Sequence, residues 1–440
     1  MNTPICDFVQ TYAQTEALRL HMPGHKGMNF LGCEALDITE IAGADSLYEA
    51  EGIIAESEAI ASRLFGCNTF YSTEGSSQCI RAMLYLAVLF AKQQGNIPKI
   101  AAGRNVHKTF LSAAALLDIP VVWIYPEKES SYLSCEISAE YLEKILKQEQ
   151  PTAVYLTSPD YLGNMADITA LAKICHRHGA MLLVDNAHGA YLRFVSESRH
   201  PMDLGADICC SSAHKTLPVL TGGAYLHIAD ENLARQAKAA LALFGSTSPS
   251  YLILQSLDAA NRYLSDYAER LCLFCEKAQH LKEALRRQGW ILQEQEPLKI
   301  TIWAKASGYR GEELAALLHE KNIVCEFADP DYLVLMLTPE VGSDGLKKLE
   351  EVLCAIPQRI PLKEPLPQFE KALRVRSIRQ AALAAAETLP VEQCEGRILA
   401  AATVGCPPAV PILVCGEQID HHAIECFRYY GVKTCNVILE

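Results

Sequence analysis

From about Asn96 to Ile228 the chain alternates short aliphatic and β-branched runs with stretches of helical periodicity. That alternation restricts it to an α/β fold of parallel strands joined by crossover helices. The strands are expected at Lys99 to Ala102, Val121 to Tyr125, Ala153 to Thr157, Met181 to Val184, Ile208 to Ser211 and Ala224 to Ile228. One intervening helix shows the signals well: Asp167 caps its first turn, Leu171 and Ile174 share a face, basic residues crowd its end and Gly179 stops it. In such sheets ligands gather at the carboxyl ends of the strands, so residues that immediately follow a strand are the functional candidates.

Downstream, apolar residues Leu252, Leu257 and Leu264 recur at helical spacing, and Ser248 to Gly289 reads as one long helical connection. A second αβ unit follows, with strands near Lys299 to Trp303 and Tyr332 to Leu337 and helices near Glu312 to Lys321 and Asp344 to Ile356. Pro357 to Pro367 reads as a linker to a turn-rich tail. The expected division is an N-terminal segment 1–35, a large domain 36–290, a small αβ domain 291–360 and a C-terminal region 361–440.

A formal charge of −13 and the lack of clustered Lys and Arg argue against nucleic acid as a partner, and fit a cationic substrate. Met1 to Gln10 carries Asp7 and no basic stretch before an apolar run, so it does not read as a secretory signal. The apolar stretch near Ala82 to Ala91 is too short for a bilayer span. A cytoplasmic protein without membrane contact is expected. The 17 cysteines are scattered through apolar segments and read as buried thiols. Cys272 and Cys275 lack a second pair, and His421, His422 and Cys426 form no convincing set, so no metal site is expected.

Four local patterns carry chemistry. Ser211-Ser212-Ala213-His214-Lys215-Thr216 ends a buried strand and presents a lysine, whose amine forms an imine with an aldehyde once it loses a proton. The bland alternative is a solvated loop lysine. Asp185, in Val184-Asp185-Asn186-Ala187-His188-Gly189, ends another strand. A carboxylate there keeps a cofactor's pyridine nitrogen protonated, and Ala187 is small enough to lie against a flat ring; a helix cap or metal ligand are its other readings. Glu74-Gly75-Ser76-Ser77 opens a long helix through Ile80, Met83, Leu84 and Ala87, offering amides and hydroxyls to a phosphate, or merely capping the helix. His107, after the strand at Lys99 to Ala102, is placed to stack on a ring, though lone loop histidines are common.

The order phosphate loop, stacking histidine, pyridine aspartate, imine lysine is joined by more specific wording: His21-Met22-Pro23-Gly24-His25-Lys26-Gly27, Asp37-Ile38-Thr39-Glu40, Gly43-Ala44-Asp45-Ser46-Leu47, Arg104-Asn105-Val106-His107-Lys108, Thr157-Ser158-Pro159 and Ser246-Thr247-Ser248-Pro249-Ser250-Tyr251. Here the chain resembles the bacterial ornithine/lysine/arginine decarboxylases of short form, a fold-type-I pyridoxal-phosphate (PLP) family. The likeness runs from about His21 to Asp258 and returns near Pro407 to Glu417. It implies a mostly parallel large-domain sheet flanked by helices, a smaller C-terminal α+β domain, and decarboxylation of a basic L-amino acid to its amine. It further implies Lys215 as the imine lysine, Asp185 on the pyridine nitrogen and His107 on the ring, with Ala187 and His188 beside the cofactor. The resemblance also implies that Gly75, Ser76, Ser77, Ser212 and His214 surround the phosphate, that the cofactor domain is 36–290, and that Thr247 and Ser248 reach a partner subunit's phosphate in a homodimer or higher homo-oligomer.

The chain departs from the family pattern at three places. Asn186 stands where glutamate is usual, Glu74 precedes the phosphate glycine, and Cys406-Pro407-Pro408-Ala409-Val410-Pro411 alters a tyrosine-proline-proline-glycine-isoleucine-proline motif. A carboxylate at position 74 is unfavourable for phosphate unless it points away. Two rival functions share these residues: a PLP aminotransferase or other α-carbon lyase, and a PLP-binding paralogue with a regulatory role.

Overall fold

The computed structural model describes residues 1–127, 131–367, 371–402 and 409–439. Its strands in chain order are β1 (Asn68–Ser72), β2 (Ile100–Gly103), β3 (Val121–Ile124), β4 (Ala153–Thr157), β5 (Met181–Asp185), β6 (Ile208–Ser211), β7 (Ala224–Ile228), β8 (Lys299–Trp303), β9 (Phe327–Ala328), β10 (Tyr332–Met336), β11 (Ala386–Pro390) and β12 (Thr434–Ile438). By its contacts the chain divides into two compact units, Met1–Ile97 with Met181–Arg270, and Pro98–Ala180 with Leu271–Glu440.

In the first unit the strand order is β1-β7-β6-β5. β5 and β6 run parallel, while β7 is antiparallel to both neighbours. Every residue of β5, β6 and β7 is buried, the pattern of strands covered on both faces. Helix Gly75–Gln93 packs on β6 and β7 and buries Ile80, Met83, Leu84 and Ala87, each contributing roughly 1–3 kcal/mol of apolar burial. Helix Ile53–Phe65 covers β1 and ends at Gly66, whose φ of 73° is the left-handed cap that glycine adopts without strain.

In the second unit β4-β2-β3 are parallel, β8-β10-β9 form a small antiparallel sheet, and β11 pairs with β12. Helix Ile168–Arg177 begins where expected, with the Asp167 carboxylate accepting the Ala170 N–H at 3.0 Å. Helix His421–Tyr429 packs on the β11-β12 pair around Leu399, Ile419, Phe427 and Val437.

Among β1 to β7 the pairings are parallel except those made by β7; this, with helices between strands and a small C-terminal αβ part, is the fold class the sequence indicated. Two details differ. β1 escaped notice because Asn68, Thr69 and Ser72 break its apolar run. The helical stretch after Ser248 is two helices, Tyr251–Leu264 and Tyr267–Arg287; the Ser265 hydroxyl donates to the Arg262 carbonyl at 2.7 Å at the break, a local bond that competes with helix continuation. Among the described residues no helix is long and apolar enough to cross a membrane.

Candidate active site

β6 ends at Ser211, and a single helical turn, Ala213–Thr216, follows at once, so Lys215 is held at the carboxyl end of the strand. Its Nζ lies 2.9 Å from Nε2 of buried His188. His188 belongs to the loop that leaves β5, and Asp185 is the last residue of that strand. Asp185 is only 2% exposed; its Oδ1 accepts the Ala187 N–H at 3.2 Å and faces the Cys210 thiol at 3.6 Å. The two loops are tied by the Ser212 N–H, which donates to the Ala187 carbonyl at 3.3 Å.

Gly75 opens the helix Gly75–Gln93 with φ of 71°, and its N–H donates to the Gly222 carbonyl at 2.7 Å. A Cβ built there would sit 4.0 Å from Cε1 of His214, so the helix start and the Lys215 turn are neighbours. His214 holds the Gly223 carbonyl through Nδ1 at 3.0 Å. Burial pushes this imidazole below its usual pKa; the Gly223 carbonyl opposes that shift and the Lys215 charge reinforces it. Ser76 and Ser77 occupy the helix's first turn. Thr247 and Ser248 lie on an exposed loop, joined to this region where Glu74 accepts the Ser246 N–H. The carboxylate at position 74 is thus engaged by a backbone donor.

The first unit therefore gathers Gly75, Ser76, Ser77, Asp185, Ala187, His188, Ser212, His214 and Lys215. His107 lies in the second unit, at the N-cap of helix Lys108–Leu117, where Nδ1 accepts the Thr109 N–H at 3.2 Å. Of the altered C-terminal motif, residues 406–408 fall outside the described residues. Sequence reasoning missed the Gly222-Gly223 pair, whose carbonyls anchor Gly75 and His214; a glycine doublet immediately before β7 was the available signal.

Two observations bear on whether these residues fit PLP. The Ser212 hydroxyl oxygen is buried and without a hydrogen-bond partner among the described residues, as a donor kept for a ligand would be. Helix Gly75–Gln93 has no side-chain cap and no acidic residue in its first turn, which leaves its N-terminal amides suited to an anion. With a buried carboxylate and a lysine alongside, the donor set fits the cofactor.

Fold and site together define the class of fold-type-I PLP enzymes. Comparison with known proteins narrows it: the chain belongs to the Orn/Lys/Arg decarboxylase family, residues 3–306 matching the family's major domain and 367–434 its C-terminal domain. It is a PLP-dependent amino-acid decarboxylase. The arginine decarboxylase of Bacillus subtilis is 29% identical, with 96% of this chain and 92% of that protein aligned. That of Halalkalibacterium halodurans is also 29% identical, covering 97% and 93%. Among solved structures, the Francisella novicida lysine decarboxylase superposes with a TM-score of 0.80 over 99% of this chain and 81% of its own, at 15% identity. The E. coli constitutive lysine decarboxylase gives 0.78 over the same shares, at 17% identity.

Proposed function

We propose that this enzyme binds PLP through Lys215 and releases carbon dioxide from a basic L-amino acid, with arginine the first substrate to test. The observation that carries the reading is the Lys215 to His188 contact of 2.9 Å beside buried Asp185. Bound PLP supplies an aldehyde for amine condensation and a ring that accepts electron density from the substrate's α-carbon. Asp185, its carboxylate kept in place by the Ala187 amide, would hold a proton on the cofactor's ring nitrogen. His188 Nε2 orients the Lys215 amine and exchanges a proton with it. Ser212, Ser76, Ser77, His214 and the helix amides that follow Gly75 would hold the cofactor's phosphate. Arginine is favoured over lysine and ornithine because relatives aligned over nearly their full length carry the name arginine decarboxylase.

The same reading includes a homodimer in which Thr247 and Ser248 serve the partner's site. Exposure of Leu18, Leu20, Met22, Met28, Phe30 and Leu31 supports it, since that much apolar surface in one segment calls for a cover.

The test is to incubate protein and PLP with L-arginine, L-lysine and L-ornithine in turn. Carbon dioxide and the matching amine are expected from at least one, and neither from Lys215→Ala, which also loses the imine absorbance. PLP binding without turnover of any of the three would favour the regulatory paralogue instead.

A further inference from the structure

β6 carries two adjacent cysteines, which alternation along a strand sends to opposite faces of the sheet. Cys210 faces Asp185, whereas Cys209 is the register partner of His227 on the antiparallel neighbour β7. His200, from the segment between β5 and β6, joins that pair, its ring centroid 4.9 Å from that of His227 at an interplanar angle of 86°. One ligand atom from each of His200, Cys209 and His227 lies within 4.8 Å of the others, and none of the three residues has exposed surface.

Buried imidazoles ordinarily find hydrogen-bond partners. Among the described residues, both ring nitrogens of His200 and Nε2 of His227 have none. The tautomer of His227 follows from its neighbours. Thr69 Oγ1 donates its hydrogen to the Cys67 carbonyl at 3.2 Å, and so accepts from His227 Nδ1–H at 3.0 Å. That leaves the lone pair on the unpartnered Nε2, with the Thr69 bond in the orienting role that outer-shell contacts play around metal-bound histidines.

We propose that His200, Cys209 and His227 form a buried site for a soft monovalent cation, copper(I), separate from the PLP site. Thiolate and imidazole donors suit that ion. Charge decides between it and zinc(II): two neutral imidazoles and one thiolate make copper(I) neutral overall, but leave a net positive charge with zinc in an apolar setting. Zinc also calls for a fourth ligand, and the group comprises three such residues among those described. Binding replaces the Cys209 S–H bond by S–Cu, the proton leaves to solvent, and no electrons are exchanged. The ion staples β6 and β7 to the segment at His200.

Because the ligands are inaccessible, the full-length reduced protein is refolded anaerobically with copper(I), then washed with a copper(I) chelator. The expected result is a single chelator-resistant copper per chain, a mixed nitrogen and sulfur first shell by X-ray absorption, and a raised Tm. Cys209→Ser and His200→Phe lose all three. The second variant keeps the test sound, because an apolar ring beside Phe65, 5.7 Å from His200, substitutes for an imidazole lacking partners and is compatible with folding. The proposal falls if the wild type retains no copper, if either variant retains as much, if the first shell is sulfur only, or if zinc is retained in preference.

Discussion

Glu74 stands one residue before the helix start assigned to phosphate, where a free carboxylate would repel the ligand. Its acceptance of the Ser246 N–H changes that account, because the charge is spent on the loop that carries Thr247 and Ser248. Glu74→Ala is expected to release this loop and weaken PLP retention about tenfold, the loss of one hydrogen bond to a charged group. Glu74→Gln keeps an acceptor oxygen and should bind PLP at least as tightly; equilibrium dialysis separates the two. Asp185 and Lys215 were legible as candidates because each directly follows an apolar strand. The contact between Lys215 and His188, 27 positions apart, was not, since nothing in either segment specifies the other's orientation.

At the level of elements, the ends of strands were legible where an apolar run meets a polar residue, as at Thr157 and Ser211. Long-range ties were not. Arg104, just past β2, forms a 2.9 Å ion pair with Glu417 and donates to the Pro411 and Ile412 carbonyls at 3.1 and 2.9 Å. Glu417 in turn accepts the Val414 N–H at 2.8 Å, and both charged side chains are 2% exposed. Glu417→Gln leaves a buried guanidinium uncompensated and should destabilise the protein by roughly 3–5 kcal/mol, read as a fall in denaturant midpoint. If the change is below about 1 kcal/mol, the pair is no fastener of that C-terminal loop.

For the molecule as a whole, pH dependence offers a direct test. Burial pushes the Asp329 carboxyl up from 3.8 to about 7; the Tyr332 and Asp331 amides oppose the shift, and the Asp331 and Glu312 charges add to it. A raised carboxyl means the unfolded chain releases its proton first. Stability from this group is therefore complete below about pH 4 and is lost as pH rises through about 7, by up to about 4 kcal/mol. Asp329→Asn should gain stability relative to wild type across that window and run parallel to it above; thermal melts at a series of pH values check this. Quaternary structure is the second test at this scale. Sedimentation should give a dimer, and Leu20→Asp with Phe30→Asp should dissociate it; a wild-type monomer at micromolar concentration would refute the assignment.

The sequence alone determined the α/β class, the strand ends that bear Asp185 and Lys215, and the family, because hydrophobic periodicity and local motifs are properties of neighbouring residues. Tertiary structure decided what neighbours cannot: that Glu74 answers to Ser246, that Arg104 meets Glu417 across 313 positions, and that His200, Cys209 and His227 converge under the sheet. Those contacts arise only when strand register and helix packing bring distant side chains into one low-dielectric space, where each polar group must find a partner or pay for lacking one.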